Sequence, residues 1–251
     1  MSSKDQVLLV TGASRGIGAT TCRLAAAAGY RIAINYRTEP ERAAALCNDI
    51  IADGGRAVTV GGDVSKLPDV ERIFDEAANA LGPVTAVVNN AGAVGRAGPF
   101  ADADPAMLQN VIDVNLVGLM LCTREAIRRM ALSRGGPGGV IVNVSSCAAT
   151  LGSSGEFVWY AASKAGVDSF TMGVAREVAD DGIRINAVAP GMIDTEIHER
   201  AGSPERVARL TPGVPMRRIA SPDEVAKPIL FLLSSDASYM TGSVIRVGGG
   251  R

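Results

Sequence analysis

A short apolar segment followed directly by glycines is the feature that most constrains the fold of this chain. The residues of Val7–Val10 are all apolar, and the turn after them contains Gly12, Gly16 and Gly18. Such an apolar run is typical of a strand buried on both faces of a parallel sheet. The small and apolar residues Thr20 to Ala28 predict a helix that starts at the glycines. Because a helix N-terminus presents unpaired N–H groups and the positive end of the helix dipole, we expect this turn to bind the phosphates of a nucleotide.

The same turn also fits a second pattern. Residues 12–16 read G-A-S-R-G, which matches the G-x-S-x-G turn that carries the nucleophile of serine hydrolases. A hydrolase would need a histidine late in the chain, and the only histidine, His198, lies in a polar stretch. The nucleophile would also follow the first strand of the sheet. The nucleotide site is therefore preferred, and a serine hydrolase is kept as an alternative.

Strand-like and helix-like segments alternate along the 251 residues, with no linker and no low-complexity region. Alternation of this kind is typical of right-handed crossovers between parallel strands. The sequence predicts an α/β fold made of a doubly wound parallel sheet of seven strands with helices on both faces. We expect residues 1–251 to form a single domain.

Composition excludes several classes of partner. A formal charge of -1 provides no global field for binding nucleic acid or an anionic membrane. The N-terminus lacks an apolar signal core, and no apolar run approaches a membrane span. The four cysteines show no C-x-x-C pair and lie in apolar segments, which predicts buried, reduced thiols and a cytoplasmic protein without a metal site.

The end of the second predicted strand bears on the choice of dinucleotide. An NAD site usually places an acid there, which binds the ribose 2′-hydroxyl, whereas an arginine accommodates a 2′-phosphate. This strand ends Asn35-Tyr36-Arg37, and Arg15 lies in the glycine turn. The two guanidiniums could bind one phosphate, although both could equally be solvated surface charges. We therefore expect NADP as the cofactor, with NAD possible.

Four polar residues are candidates for catalysis. Tyr160 and Lys164 lie four residues apart on a predicted helix and so share a face. A nearby cation favours the phenolate, so Lys164 is expected to lower the pKa of Tyr160. Ser146, at the end of the preceding strand, could bind a substrate oxygen, and Asn115 could supply a further polar group. Each residue also has an ordinary structural explanation, and spacing alone does not decide between the two.

A series of motifs in the same order resembles the short-chain dehydrogenase/reductase family along nearly the whole chain. The motifs are T-G-x-x-x-G-x-G at Thr11 to Gly18, Asp63-Val64, N-N-A-G at Asn89 to Gly92, Asn115, Ser145-Ser146, Y-x-x-x-K at Tyr160 and Lys164, and P-G-x-x-x-T at Pro190 to Thr195. Several independent motifs in one order are very specific. The family position of the NAD-selecting acid falls on Tyr36, which agrees with NADP.

The resemblance implies a Rossmann-type fold, a homotetramer and an enzyme that moves a hydride between NADP(H) and a small-molecule carbonyl or alcohol. It implies Ser146, Tyr160 and Lys164 as catalytic residues, completed by Asn115. The cofactor-binding residues that it implies are Gly12, Ser14, Arg15, Gly16, Ile17, Gly18, Arg37, Asp63, Val64, Asn90, Ala91, Gly92, Tyr160, Lys164, Ile193 and Thr195. A catalytically silent, dinucleotide-sensing protein is the alternative, and the identity of the substrate is not readable.

Two departures from the family pattern affect these expectations. The interval from Ser146 to Tyr160 is one residue longer than is common, so a loop at residues 153–156 must absorb one residue, and Ser145 stays a rival for the catalytic hydroxyl. Asp180 and Asp181 precede Gly182, where reductases of acyl-carrier-protein substrates tend to have an arginine, and this pair would repel an acidic carrier. The polar segment 192–216 predicts a lid over the substrate.

Overall fold

The computed structural model describes residues 6–196 and 205–251, which include a seven-stranded parallel sheet. The strands are β1 (Val7–Val10), β2 (Arg31–Tyr36), β3 (Arg56–Gly61), β4 (Val84–Asn89), β5 (Gly139–Val144), β6 (Ile183–Pro190) and β7 (Val244–Val247). Their order across the sheet is β3-β2-β1-β4-β5-β6-β7, and every neighbouring pair is parallel. The α/β fold with a doubly wound sheet is thereby confirmed.

Nine α-helices in the described ranges connect these strands. They are α1 (Gly16–Ala27), α2 (Pro40–Ala52), α3 (Leu67–Leu81), α4 (Pro105–Ile112), α5 (Leu119–Met130), α6 (Ala148–Leu151), α7 (Val158–Glu177), α8 (Arg206–Leu210) and α9 (Pro222–Leu233). Short 3-10 turns lie at Phe100–Asp102, Leu132–Arg134, Thr211–Gly213 and Ser235–Ala237. A proline lies at the first or second position of α2, α3, α4 and α9. Proline favours helix initiation there, because the first N–H groups of a helix have no acceptor within the helix and the one that proline lacks is not needed.

The residues of β1 explain why both faces of the sheet are covered. Successive side chains of a strand point to opposite faces. Leu8 and Val10 belong to the core between the sheet and α1, α2 and α9, whereas Val7 and Leu9 belong to the core beneath α3, α5 and α7. All four are fully buried, and each burial stabilises the fold by about 1.5–3 kcal/mol.

The helical segment over residues 105–130 is interrupted. A π-helical turn, Asp113–Gly118, separates α4 from α5. By length and composition alone, Pro105–Met130 could cross a membrane, so the expectation that no segment approaches a span is wrong by that measure. The segment nevertheless contains the buried polar residues Asn115, Thr123 and Glu125, and its α5 part packs against β4. The core helix of a soluble protein meets the same criteria of length and composition.

The strand order reverses between β1 and β4, and this point positions the site. The chain runs from β1 outward to β3 and then returns to place β4 on the other side of β1. The loops that follow β1 and β4 therefore separate and leave a crevice, where open α/β sheets bind their ligands. Of the predicted lid, only 192–196 and 205–216 are described, and His198 lies outside the described residues.

Candidate active site

A cavity of about 730 Å³ opens at the carboxyl ends of the strands, beside the reversal point. Its size suits a ligand as large as a dinucleotide. The predicted site residues that line it are Gly12, Ser14, Arg15, Gly16, Ile17, Arg37, Asp63, Val64, Asn90, Ala91, Gly92, Ser146, Tyr160, Lys164, Ile193 and Thr195. Gly18 and Asn115 do not line the cavity, and each instead contacts a residue that does.

The loops after β1 and β4 are joined by hydrogen bonds at the base of the cavity. The Thr11 hydroxyl oxygen accepts from the backbone N–H groups of Asn90 and Ala91, each at 3.0 Å. The Asn90 side chain donates to the carbonyls of Thr11 and Gly12, each at 2.9 Å. A Cβ on Gly12, where φ is +60°, would lie 2.8 Å from the Ala91 Cα atom, and one on Gly18 would lie 2.6 Å from Asn90 Nδ2. Glycine is required at both positions because the loops approach this closely.

The start of α1 faces the cavity and fits a phosphate. Its first residues, Gly16 and Ile17, line the wall, and no side chain in the described ranges caps this end. No acidic residue lies in the first turn. A Cβ on Gly16, where φ is +55°, would come within 3.5 Å of the Thr195 side chain and narrow this part of the site. The free N–H groups and positive dipole end of α1 therefore fit the pyrophosphate of a dinucleotide.

Asn35 at the end of β2 is a functional residue that the sequence did not reveal. It is buried, and its side-chain oxygen accepts from Gly12 N–H at 3.2 Å. Its amide nitrogen donates to the carbonyls of Val60 at 3.0 Å and Gly62 at 3.2 Å. The side chain therefore holds the glycine turn against the ends of β2 and β3. A buried asparagine in an apolar strand was the available signal.

Each of the two arginines predicted at the 2′-phosphate is paired with a carboxylate. Arg15 forms an ion pair with Glu39, and the Ser14 hydroxyl donates to the same carboxylate oxygen at 3.0 Å. Arg37 lies 3.5 Å from Asp63. Burial opposes ionisation of Asp63, but hydrogen bonds from Ser65 and the charge of Arg37 outweigh it and lower the pKa of this carboxyl. Both arginines line the cavity, as the NADP prediction requires.

Asn115 lies in the π-helical turn, and its side chain holds part of the cavity wall in place. Its side-chain oxygen accepts from Ala93 N–H at 2.7 Å, and its nitrogen donates to the Ala93 carbonyl at 2.8 Å and to the Ser163 hydroxyl at 3.0 Å. The Ser163 hydroxyl in turn donates to the Tyr160 carbonyl at 2.7 Å. Asn115 therefore connects the loop after β4 to the turn of α7 that carries Tyr160.

Lys164 is buried and donates from Nζ to the Val144 carbonyl at 2.7 Å. Burial lowers the pKa of Lys164 to about 8, and the nearby carboxylate of Asp168 opposes this shift. The ammonium is therefore anchored at the end of β5, on the cavity wall.

Burial, Ser146 and Arg206 act on the Tyr160 phenol, and the sequence analysis anticipated none of these contributions. Burial raises the pKa of the Tyr160 phenol, whereas a hydrogen bond with Ser146 and the charge of Arg206 lower it. Lys164 Nζ lies 5.8 Å from the centre of the Tyr160 ring and is directed at Val144. Tyr160 and Lys164 share a face of α7, as predicted, and the lowering of the phenol pKa by Lys164 stays a prediction.

The two serines after β5 face different partners. Ser146 hydrogen-bonds Tyr160, and its oxygen also accepts from Ala148 N–H at 3.1 Å. Ser145 donates to the Lys164 carbonyl at 3.3 Å and also lines the cavity. In the loop after α6, where the sequence predicts that an extra residue is absorbed, Ser153 has a φ of 48°.

Arg206 on α8 is the second residue that the sequence did not reveal. Its guanidinium lies 3.0 Å from Glu156 and 5.2 Å from the ring centre of Phe157, and Arg209 pairs with the same Glu156. Glu156, Phe157, Arg206 and Arg209 all line the cavity on the Tyr160 side. No local motif identifies a lone arginine in a polar segment, because its partner lies 50 residues away.

Cys147, Trp159 and Ser14 have structural roles near the site. Cys147 is buried, and its thiol donates to the Ala189 carbonyl at 3.3 Å. All four cysteines are free and buried, as predicted. Trp159 packs edge-on against Phe157 and donates to the Val94 carbonyl at 2.7 Å. Ser14 of the G-x-S-x-G pattern donates to Glu39, which is not the base that a hydrolase needs.

Comparison with known proteins identifies the family. A family profile described as enoyl-(acyl carrier protein) reductase matches residues 12–251. The uncharacterized oxidoreductase YgfF of Escherichia coli (strain K12) is 44% identical over 98% of this chain and 99% of its own length.

Two solved structures are also similar. A short-chain type dehydrogenase/reductase from Mycobacterium marinum superposes with a TM-score of 0.91 at 32% identity, covering 98% of this chain and 94% of that one. A blue fluorescent protein from a metagenomic library, solved in complex with NADPH, superposes with a TM-score of 0.90 at 31% identity, covering 100% of this chain and 99% of that one. With the fold and the motif series, these matches show that the chain belongs to the short-chain dehydrogenase/reductase family of oxidoreductases.

Proposed function

We propose that this protein interconverts a carbonyl and an alcohol, prefers NADP(H) and uses Tyr160 as general acid/base. The observation that supports this most is that Ser146, Tyr160 and Lys164 line the same cavity as the glycine turn at the start of α1. A bound nicotinamide would supply or accept the hydride. The phosphates would lie against α1, and the reacting carbon of the substrate would lie beside Tyr160.

Each catalytic residue has a separate task. Tyr160 gives a proton to the oxygen of a carbonyl, or takes one from an alcohol. Ser146, which hydrogen-bonds Tyr160, also orients the substrate oxygen. Lys164 keeps a positive charge on the wall and binds ribose hydroxyls. Asn115 is a positioning residue, because its contacts hold Ala93 and Ser163 rather than the cavity.

Two observations support NADP as the preferred cofactor. The position that carries the acid in NAD sites is Tyr36 here, and the next residue is Arg37. Both Arg15 and Arg37 line the cavity near the expected ribose. The similar metagenomic protein was solved with NADPH. Asp180 and Asp181 stand where reductases of acyl-carrier-protein substrates tend to have an arginine, and this difference in charge counts against a substrate on an acidic carrier protein.

The proposal is tested with Tyr160→Phe, which removes only the proton donor. We expect turnover to fall at least about a hundredfold while NADPH affinity is retained. Turnover is measured in both directions with NADP and NAD on sugars, ketoacyl thioesters, cyclic ketones and aliphatic alcohols. Tyr239→Phe is the matched control, since Tyr239 is fully exposed and remote from the cavity.

Two outcomes would contradict the proposal. Turnover in Tyr160→Phe equal to that of the wild type would exclude Tyr160 as the proton donor. A wild-type protein that binds NADPH but turns over no substrate of the panel would favour the dinucleotide-sensing alternative.

A further inference from the structure

The carboxylate of Glu39 occupies the donors that a 2′-phosphate would use. One oxygen, Oε2, accepts from the Ser14 hydroxyl at 3.0 Å and pairs with Arg15. Ser14 and Arg15 lie in the glycine turn, on the wall of the cavity, together with Tyr36, Arg37 and Thr38. The contact joins residues 24 and 25 positions apart, and no local motif predicts it.

The backbone brings Glu39 to this place. Glu39 is the residue before α2, and its carbonyl accepts from Ala43 N–H at 3.2 Å while Pro40 begins the helix. Only Arg37 and Thr38 separate it from the end of β2, so its side chain reaches back across the cavity rim to the glycine turn. Its side chain is 18% exposed, so solvent screens the pair only in part.

The charges at this end of the cavity are balanced by acids. Arg15 pairs with Glu39, and Arg37 lies 3.5 Å from Asp63 in a pair that is more exposed. A 2′-phosphate at Ser14 and Arg15 would bring up to two negative charges next to a carboxylate that uses the same donors. It must therefore displace Glu39 or share Arg15 with it. The 2′-hydroxyl of NAD carries no charge and meets no such competition.

We propose that Glu39 is a specificity-determining residue that weakens NADP relative to NAD by competing with the 2′-phosphate for Ser14 and Arg15. This inference rests on the proposed function, because it assumes that the cavity binds a dinucleotide with its adenosine ribose beside the glycine turn. Glu39 therefore sets how strict the preference for NADP is, whereas Arg15 and Arg37 set its direction.

The test uses the full-length protein and isothermal titration calorimetry. Glu39→Gln keeps the size of the side chain and removes its charge. The ligands are NADP⁺, NAD⁺, adenosine 2′,5′-bisphosphate and adenosine 5′-monophosphate, so that the effect of the 2′-phosphate is isolated without any turnover. Glu41→Gln is the matched control, since Glu41 is exposed in the first turn of the same helix and its loss changes the helix dipole interaction in the same way.

In Glu39→Gln we expect the affinity for NADP⁺ and for adenosine 2′,5′-bisphosphate to rise about fivefold, the upper range for a single partly exposed ion pair. The affinities for NAD⁺ and adenosine 5′-monophosphate should not change, and Glu41→Gln should behave as the wild type.

Three results would overturn the role of Glu39. An unchanged ratio of the NADP⁺ and NAD⁺ affinities in Glu39→Gln would mean that the carboxylate does not compete. A lower NADP⁺ affinity would mean that Glu39 instead orients Arg15 for the phosphate. A wild-type protein that binds neither dinucleotide would overturn the proposed function as well, whereas the first two results leave that function intact.

Discussion

At the scale of single residues, the buried ammonium of Lys164 carries a large electrostatic cost. Burial lowers its pKa from 10.5 to about 8. Since one pKa unit corresponds to about 1.4 kcal/mol, holding this ammonium inside the protein costs about 3 kcal/mol at neutral pH. The hydrogen bond to the Val144 carbonyl offsets part of that cost. A buried cation with so little compensation is typical of a residue kept for function rather than for stability.

Lys164→Met is therefore expected to lose activity without losing stability. Turnover should fall at least about a hundredfold, because a positive charge that supports the reacting groups is removed. The free energy of unfolding at pH 7 should stay equal or rise by about 1 kcal/mol, since the desolvation cost disappears and only one hydrogen bond is lost. Urea unfolding and steady-state kinetics measure the two effects.

The pH dependence of stability distinguishes this explanation from a general packing effect. Between pH 8 and 10.5 the unfolded chain binds the Lys164 proton and the native protein does not, so wild-type stability rises with pH relative to Lys164→Met. Below pH 8 the difference between the two proteins should be constant. Lys227→Met changes an exposed lysine of α9, and the difference in stability between this variant and the wild type should not depend on pH between 8 and 10.5. Parallel curves for wild type and Lys164→Met would contradict the buried charge.

At the scale of secondary-structure elements, the site depends on how closely α1 lies against the loop after β4. Gly18 is buried in the first turn of α1, behind the cavity wall. A Cβ there would lie 2.6 Å from Asn90 Nδ2 and 2.9 Å from the Ala13 Cα atom. One of these neighbours is backbone, so the contact cannot be relieved by a side-chain rotation alone.

Gly18→Ala should lower the free energy of unfolding by about 1–3 kcal/mol through overpacking. It should also weaken dinucleotide binding, because Asn90 would lose its hydrogen bonds to the carbonyls of Thr11 and Gly12. Denaturant unfolding and NADPH titration measure both. Gly98→Ala is the control, since a Cβ at Gly98 meets nothing within 4 Å. If Gly18→Ala is as stable as the wild type, close approach of the two elements is not what requires glycine.

At the scale of the whole molecule, the outer faces of α5 and α7 bear on assembly. We propose that the protein is a cytoplasmic homotetramer that uses these faces as contacts. Met172 on α7 and Val117 beside α5 are exposed apolar side chains. The four buried, free cysteines agree with a reducing compartment.

Light scattering after size-exclusion chromatography should give a mass of about four times 25.8 kDa. Met172→Glu should lower this mass, because a buried carboxylate at the contact would be left unpaired. Ile51→Glu makes the same change at an exposed position of α2 and should leave the mass unchanged. A wild-type mass of 25.8 kDa would contradict the tetramer.

The sequence alone determined the parts of this protein that depend on local chain geometry. Apolar runs between helical segments predicted the parallel sheet, because strand and helix periodicities are properties of neighbouring residues. The turn with Gly12, Gly16 and Gly18 predicted a phosphate site for the same reason. Motif order identified Ser146, Tyr160 and Lys164, and the structure brings all three to one cavity wall.

Only the tertiary structure decided which charges meet and what burial does to them. Glu39 reaches Ser14 and Arg15, and Glu156 pairs with Arg206, through contacts between segments that are distant in the chain. The pKa of Tyr160 is raised by burial and lowered by Ser146 and Arg206, which are distant from it in the chain. Ion pairing and desolvation depend on distances and solvent exclusion in three dimensions, and residue spacing along the chain contains neither.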